Sequence, residues 1–353
     1  MALIVTKHFF KVDVMSNATK LILGTRGSKL AVTQSGMMAD AMRAAHAGLE
    51  VEMQLISTKG DRILDVALSA VGDKGLFVKE LEQALLDNQV DFCVHSCKDL
   101  PSVVPDGLTL AAFPPRADAR DALVVMESAV GDLDLSNFSM QDSPLLRQGA
   151  VVGTSSLRRA CQIRAIRPDL DLRDVRGNVD TRLRKLADGQ FEAIILASAG
   201  LDRLGFTDAT IDGPRHFEAV DARFVALPIP TTQMLPAVSQ GILAIECRAA
   251  DADTISLLGA LDHAPSRAAA LAERAFLARL EGGCQVPIAA FAVVEGENLR
   301  LRGMVGSLDG TTQVRGELVG SLADPAAIGL ALAEDLISQG ASDILAELAT
   351  PRN

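Results

Sequence analysis

Two successive strand–turn–helix units near the middle of the chain constrain its fold most. In the first, the apolar run at 151–153 leads through small polar residues, which suit an N-cap, into a helix whose first turn holds Arg158 and Arg159. In the second, the strand-like stretch 171–175 leads into a helix with Asn178 at its predicted N-cap. Short apolar runs that alternate with helical patterns are typical of α/β folds. The chain is therefore predicted to contain α/β units.

The arginines of these units stand where a helix should disfavour them. Arg158 and Arg159 fall in a first helical turn, which is the positive end of the helix dipole. Bound carboxylates or phosphates would reverse that effect, because N–H groups, hydroxyls and guanidinium groups would then converge on anions. The alternative, a solvated helix face, is the usual explanation for a single arginine. This explanation is weaker for two successive units that both carry arginines at the turn, so the arginine cluster predicts a polyanion site.

The charge distribution narrows the class of ligand. The chain has 353 residues and a net charge of −11, which argues against general nucleic-acid binding. Residues 147–185 nevertheless hold ten Arg or Lys against four Asp, a local charge of +6. Trp and Tyr are absent, so little aromatic surface is available for base stacking. A small anionic ligand in a positive cleft fits this distribution better than a duplex.

The cysteines and the N-terminal residues indicate a cytoplasmic protein. Five scattered cysteines and no visible secretory signal favour free thiols in a reducing compartment. Cys93 and Cys97 lack a second Cys/His pair, so a structural zinc site is not expected. Residues 1–20 have no long apolar core and are expected to form a loose extension, neither a signal peptide nor a membrane span.

The order of predicted elements changes near residue 265. Before it, predicted strands alternate with helices, whereas a mobile loop is expected at 58–75 and a surface insertion at 131–148. Residues 212–236 lack clear periodicity and are expected to form a crossing or linker region. After it, a helix at 265–281 precedes strands at 287–295, 298–307 and 311–319 and a helix at about 325–348, which predicts a small α+β domain with a three-stranded antiparallel sheet. The predicted division is an extension at 1–20, a first domain at 21–114 with a returning segment at 240–260, a second at 119–226 and a third at 264–353.

Three local motifs could carry chemistry. Arg26 and Ser28 open a helix and could hold an anion, although a simple cap is equally plausible and the phosphate-loop spacing is missing. Lys98 and Asp99 follow an apolar strand, where Lys98 could neutralise a carboxylate and Asp99 could accept and return protons. A structural Lys–Asp pair is the alternative.

Cys284 lies between glycines and a proline, which favours a presented nucleophile or attachment point over a buried thiol.

Eight stretches together resemble one family, porphobilinogen deaminase (hydroxymethylbilane synthase) of tetrapyrrole biosynthesis. They occur in the family's order and span residues 20–290, whereas the tail matches only in pattern. The stretches are GTRGS at 24–28, KGLFVKELE at 74–82, HSCKDLP at 95–101, VGTSSLRR at 152–159, RGNVDTR at 176–182, AGLDRLG at 199–205, QG at 240–241 with IECR at 245–248, and ERAF at 273–276 through EGGCQVP at 281–287.

The resemblance implies a fold, a cofactor and a reaction. Two lobes are expected to resemble the type II periplasmic-binding-protein fold, followed by the small third domain. By this resemblance Cys284 carries a dipyrromethane cofactor through a thioether. Each porphobilinogen loses ammonia to give an azafulvene, which the growing chain attacks, and four rounds and hydrolysis release hydroxymethylbilane. A cytoplasmic monomer without metal, nucleic acid or membrane partner is implied, with porphobilinogen as its small-molecule substrate.

The resemblance also implies residue roles, with Asp99 as the catalytic carboxylate. The implied cofactor contacts are Lys98, Thr154, Ser156, Arg158, Arg159 and Arg182. The implied substrate contacts are Arg26, Ser28, Phe77, Arg176 and Arg203.

This chain departs from the family pattern in a few places. Cys97 stands where the family usually has methionine, and Ser239 replaces a glycine. The segments at 131–148 and 221–235 are longer than typical, and the roles of these segments and of residues 1–20 stay open.

Two other classes of protein compete with the deaminase interpretation. A non-enzymatic two-lobed carboxylate-binding protein would need export or a DNA-binding module, and neither is visible in the sequence. It would also leave the Cys284 loop without a role. A phosphate-handling transferase would need a phosphate loop or a set of metal-binding carboxylates.

Overall fold

The structure, a computed structural model, describes residues 20–58, 78–280 and 286–349. Among these residues, the strands and helices lie in three sheets and the layers around them. In chain order they are β1 Lys20–Thr25, α1 Lys29–Ala45, β2 Glu50–Leu55, α2 Lys79–Leu86, β3 Phe92–Ser96, β4 Leu108–Ala112, β5 Asp121–Met126, β6 Val151–Gly153, α3 Leu157–Ile166, β7 Asp171–Arg173, α4 Val179–Ala187, β8 Ala193–Ala197, α5 Ser198–Arg203, β9 Arg215–Ala219, β10 Ala222–Pro228, β11 Leu243–Arg248, α6 Ala252–Leu258, α7 Ala264–Arg279, β12 Ile288–Glu295, β13 Asn298–Gly306, β14 Gln313–Ser321, α8 Pro325–Leu336 and α9 Ser342–Ala349.

The first two sheets share one strand arrangement. The first has the order β2-β1-β3-β11-β4, with β1 parallel to β2 and β3, and with β11 antiparallel to β3 and β4. The second has the order β7-β6-β8-β5-β10-β9, with β6 parallel to β7 and β8, and with β5 antiparallel to β8 and β10. In each lobe the antiparallel strand follows a crossing from the other lobe. The predicted two-lobed fold class is confirmed.

The third sheet is antiparallel with the order β12-β13-β14, which also confirms the prediction. The helix predicted at 325–348 is divided, because Gly340 has a φ of +101° between α8 and α9. Helices α7 and α8 approach closely at Gly329, where a Cβ would lie against the carbonyl oxygen of Ala272 and 2.9 Å from the Cβ of Ala275. Glycine is needed there for the two helices to pack.

The segment at 131–148 contributes to the core, so its prediction as a surface insertion is wrong. Leu135, Met140 and Leu146 are buried in the same cluster as the strands of the second lobe. These apolar residues follow neither a strand period nor a helix period, and polar residues separate them. A periodicity argument therefore gives no indication that the segment is buried.

The segment at 212–236, predicted to be a crossing or linker region without clear periodicity, is a crossing only in its last part. It contains β9 and β10, paired through a turn in which Val220 and Asp221 have φ values of +47° and +61°. Strand β10 is buried on both faces from Phe224 onward, so it lacks the alternation that identifies a half-buried strand. The loop predicted at 58–75 lies outside the described residues except for Thr58, and the predicted domain limits stay a prediction.

One buried carboxylate joins the crossings between the lobes to the third sheet. Both oxygens of Glu273, on α7, are used: Arg116 Nη1 lies 2.6 Å from Oε1, and the backbone N–H groups of Ala292 and Ser239 donate at 2.7 and 2.5 Å. Arg116 precedes β5, Ser239 precedes β11, and Ala292 lies in β12. Within the described residues, no helix is long and apolar enough to cross a membrane.

The close helix contact gives a first prediction. Replacing Gly329 with alanine should lower the free energy of unfolding by about 1–3 kcal/mol, because α7 and α8 must separate to admit the methyl group. Urea denaturation would measure the change. The control is Gly259→Ala, since a Cβ at Gly259 meets nothing within 4 Å. Equal stability of both variants would contradict this account of the packing.

Candidate active site

The turn after β3 carries the predicted Lys98–Asp99 pair. Residues Cys97–Asp99 form a single 3₁₀ turn, with Asp99 exposed and Lys98 partly buried. Lys98 Nζ donates to Oε1 of Gln240 at 3.3 Å. Burial lowers the pKa of Lys98 to about 8, and the charge of Asp99 opposes the shift. Lys98 is thus a cation held in a poorly solvated position.

The N-terminus of α3 has the predicted cap of small polar residues. Ser156 is the N-cap, and its hydroxyl accepts from the backbone N–H of Arg159 at 3.4 Å. The buried Thr154 hydroxyl accepts from the N–H of Ser156 at 3.2 Å. These contacts fix the turn that leads from β6 into α3.

Arg158 and Arg159 point inward, toward Asp121 at the start of β5. Arg158 Nη1 lies 2.7 Å from Asp121 Oδ2, and Arg159 Nη2 lies 2.7 Å from Asp121 Oδ1. Arg158 also donates to the carbonyl of Leu235, and Arg159 to that of Ile195. Both guanidinium groups are more than 90% buried. One carboxylate therefore faces two guanidinium groups, which leaves a buried net charge of about one positive unit.

Asp121 is a residue that sequence reasoning missed. It is fully buried. Burial by itself would raise the pKa of Asp121, but Arg158 and Arg159 outweigh burial and hold this pKa well below its usual range. A carboxylate that opens the otherwise apolar strand DALVVM was the available signal, since a buried acid needs a partner.

The second arginine-bearing turn brings Arg182 near the first. Asn178 caps α4 as predicted, accepting from the N–H of Thr181 at 3.0 Å. Arg182 Nε donates to the carbonyl of Gly177 at 2.8 Å. Burial, together with the positive charges of Arg159 and Arg176, lowers the pKa of Arg182 to about 10, and the charge of Asp99 opposes this shift. The side chains of the two turns and of the Lys98–Asp99 turn thus share one electrostatic environment.

The start of α1 faces the second lobe. Ser28 caps α1, accepting from the N–H of Ala31 at 3.3 Å. The next residue, Lys29, lies 3.6 Å from the carboxylate of Asp180 and 5.1 Å from the ring centre of Phe206. The predicted residues Arg26 and Ser28 therefore lie on the side of the first lobe that meets the second.

Arg203, at the end of α5, connects the second lobe to the returning segment. Its Nη2 donates to the carbonyl of Gly241 at 2.6 Å, and burial lowers the pKa of Arg203 to about 10 against the opposing charge of Asp202.

Gln34 is a further residue that sequence reasoning missed, and its Nε2 lies 3.1 Å from the hydroxyl of Ser96 at the end of β3. The predicted residues Phe77 and Cys284 lie outside the described residues.

Comparison with known proteins gives matches over most of the chain. A family model described as "Porphobilinogen deaminase, dipyromethane cofactor binding domain" matches residues 21–256, and one described as "Porphobilinogen deaminase, C-terminal domain" matches residues 268–338. The chain is 51% identical over 326 residues to the porphobilinogen deaminase of Roseiflexus sp. (strain RS-1), covering 92% of this chain and 98% of that protein. It is 49% identical over 327 residues to that of Brevibacillus brevis, covering 92% and 96%.

Solved structures give much weaker similarities. A periplasmic VFT2 domain of BvgS from Bordetella pertussis is 13% identical, with a TM-score of 0.36 and coverage of 69% of this chain and 86% of that chain. A putative LysR family transcriptional regulator from Pseudomonas aeruginosa is 12% identical, with a TM-score of 0.39 and coverage of 71% and 73%. Such low scores add nothing to what the strand order establishes.

The buried Asp121 gives a second prediction. Asp121→Asn should lower the free energy of unfolding at pH 7 by about 3–5 kcal/mol, because two buried guanidinium groups lose their countercharge. The folded-state pKa of Asp121 lies below its unfolded value of about 3.9. The contribution of ionised Asp121 to the free energy of unfolding is therefore present above about pH 4 and is lost as the pH falls below that value.

Urea denaturation at several pH values would measure this effect. The matched control is Asp212→Asn, because Asp212 also pairs with an arginine, Arg120, but is 86% exposed. That variant should change stability by no more than about 1 kcal/mol. A loss of stability in Asp121→Asn no larger than in the control would contradict the buried-charge account.

Proposed function

The chain belongs to the porphobilinogen deaminase family, and we propose that the turn of Lys98 and Asp99 is the place where its pyrrole units are joined. The enzyme is a hydroxymethylbilane synthase: it condenses four porphobilinogen molecules onto a dipyrromethane cofactor with release of ammonia. One observation carries the proposed location. Asp99 is an exposed carboxylate beside cations whose pKa values burial lowers, to about 8 for Lys98 and about 10 for Arg182.

The groups around this turn fit a ligand that carries several carboxylates. Each pyrrole of the family's substrate bears an acetate and a propionate. Lys98 and Arg182 are destabilised as cations by burial, and an incoming carboxylate would restore the lost stabilisation. When bound through Cys284, dipyrromethane supplies the primer to which new pyrroles are added. The chemistry of the donor set therefore suits the cofactor.

We assign the cofactor side of the cleft to residues of three turns. Arg158 and Arg159 are engaged with Asp121, and we propose that they act through their excess positive charge and by holding the N-terminus of α3 in place. The proposed cofactor-side residues are Lys98, Thr154, Ser156, Arg158, Arg159 and Arg182.

The substrate side is assigned to residues nearer the first helix and the returning segment. Arg203 holds the carbonyl of Gly241, and Ser28 caps α1 where α1 meets the second lobe. The proposed substrate-side residues are Arg26, Ser28, Phe77, Arg176 and Arg203.

Asp99 is proposed to be the catalytic carboxylate. Positive charge develops on a pyrrole as ammonia leaves and again as a carbon–carbon bond forms, and the surrounding Lys98 and Arg182 cannot balance it. Asp121 is buried and already paired with two arginines. Asp99 is exposed, so it can face the pyrrole N–H, stabilise the cation, and accept and return protons.

We further propose a monomer in the cytoplasm. The four cysteines within the described residues, Cys93, Cys97, Cys161 and Cys247, are free thiols, as suits a reducing compartment. No observation favours the non-enzymatic alternative, which leaves the cysteine loop without a role.

The third prediction tests the catalytic carboxylate. Asp99→Asn keeps the shape of the side chain but removes its charge and its ability to accept a proton. Turnover should fall roughly 10²-fold or more, the scale of a lost general acid–base group, while the covalent cofactor mass persists. Asp99→Glu should keep partial activity. Asp106→Asn, an exposed aspartate of the same lobe, serves as the control, and normal turnover of the Asp99→Asn variant would refute the assignment.

The fourth prediction tests the attachment site by intact mass. Cys284→Ser should lack the two-pyrrole adduct and the colour with Ehrlich's reagent. Cys247→Ala and Cys161→Ala should keep both, because these thiols are buried and burial raises the pKa of each to about 11. Such thiols are poor nucleophiles. An adduct found on another cysteine would refute the assignment.

A further inference from the structure

The side-chain amide of Gln240 has its orientation determined by its partners. Its Nε2 donates to the carbonyl of Ala119 at 2.8 Å and to Asp121 Oδ1 at 3.0 Å. Both partners can only accept, since Asp121 is ionised beside two arginines. The nitrogen must therefore face Ala119 and Asp121, which leaves the oxygen toward Lys98 Nζ, 3.3 Å away. The amide cannot flip without breaking both bonds.

The backbone around Gln240 is held just as firmly. Ser239 and Gly241 both have left-handed φ values, +59° and +88°. Arg116 donates to the carbonyl of Gln240 at 2.9 Å, and Arg203 donates to that of Gly241 at 2.6 Å. A Cβ at Gly241 would lie 2.7 Å from the carbonyl oxygen of Ala117. These contacts hold the turn at residues 239–241 in its left-handed conformation, and they fix the position of the Gln240 side-chain oxygen.

We propose that Gln240 is a positioning residue that holds the Lys98 ammonium toward the cleft while leaving its positive charge available to the carboxylates of the bound dipyrromethane. This inference rests on the proposed function, in which Lys98 binds carboxylates. Gln240 is 1% exposed, lies in the crossing between the lobes, and contacts Lys98 of the first lobe and Asp121 of the second. It therefore joins the two halves of the charged cluster.

The neutrality of the amide is central to this role. The charged groups that act on Lys98 are Asp99, Asp121, Arg158 and Arg159, which include two acids and two bases. A carboxylate at position 240 would neutralise the ammonium by direct contact and repel Asp121. An apolar side chain would remove the acceptor that favours the charged form of Lys98. A neutral acceptor avoids both effects.

The test measures the charge state of Lys98 directly in the holoenzyme. Gln240→Met has a similar length but no acceptor, and Gln240→Glu adds a negative charge. Each holoenzyme is treated briefly with acetic anhydride between pH 6 and 10, and acetylation of Lys98 is quantified by peptide mass spectrometry relative to the exposed Lys20. Only the free amine reacts, so the rate at a given pH reports how much of Lys98 has lost its proton. The fraction of each preparation that carries the covalent cofactor is measured by intact mass.

The two variants should change acetylation in opposite directions. At pH 7.5, Lys98 of Gln240→Met should be acetylated severalfold faster than Lys98 of the wild type, because loss of the acceptor destabilises the ammonium. Lys98 of Gln240→Glu should be acetylated several- to tenfold more slowly, because the added carboxylate stabilises the ammonium. The cofactor-loaded fraction should fall in both variants, because the Lys98 ammonium is less populated in Gln240→Met and neutralised in Gln240→Glu. A generally loosened structure would change acetylation in one direction only.

The control is Gln233→Met, since Gln233 follows β10 in the same crossing and bonds to Ser139 and Met140.

The outcomes separate this inference from the proposed function. Wild-type acetylation of Lys98 in Gln240→Met would overturn the inference, whether or not the Gln240→Glu variant folds. A shift in the same direction in both variants would overturn it as well. Opposite shifts in acetylation with an unchanged cofactor-loaded fraction would support the positioning role and overturn the assignment of Lys98 to binding the cofactor carboxylates.

Discussion

The shared pairing of Asp121 with Arg158 and Arg159 is the interaction on which the rest of the site depends. Asp121 opens the strand that enters the second lobe from the first, and the two arginines open a helix of the second lobe. Because all three side chains are buried, their charges interact strongly, and loss of Asp121 would leave two guanidinium groups without their countercharge. These three residues therefore fix the N-terminus of α3 relative to β5 in the second sheet.

The unequal charges of this cluster also explain why anions would be attracted to the region. One carboxylate balances only one of two guanidinium groups, and Lys98 and Arg182 add positive charge in poorly solvated positions. The positive field persists although Arg158 and Arg159 are already paired with Asp121. Such a field acts beyond direct contact, because the surrounding protein screens it less than water does.

Local interactions were the ones that sequence could predict. The caps Ser28, Ser156 and Asn178 were recognisable because a cap bonds to N–H groups two or three residues away. The identity of the candidate site residues came from family resemblance. The inward orientation of Arg158 was not predictable, because its partner lies 37 positions away in a strand that reads as apolar. Strand β10 was missed for a related reason, since burial on both faces removes the alternation that marks a strand.

The contacts of Glu273 have a mechanical consequence. Its two oxygens hold one point on each chain crossing between the lobes, and also a point on β12. Any rotation of one lobe against the other must bend these crossings, and each crossing is tethered at one point to the same side chain. A movement of either lobe is therefore coupled to the position of helix α7 and, through Ala292, to the third sheet.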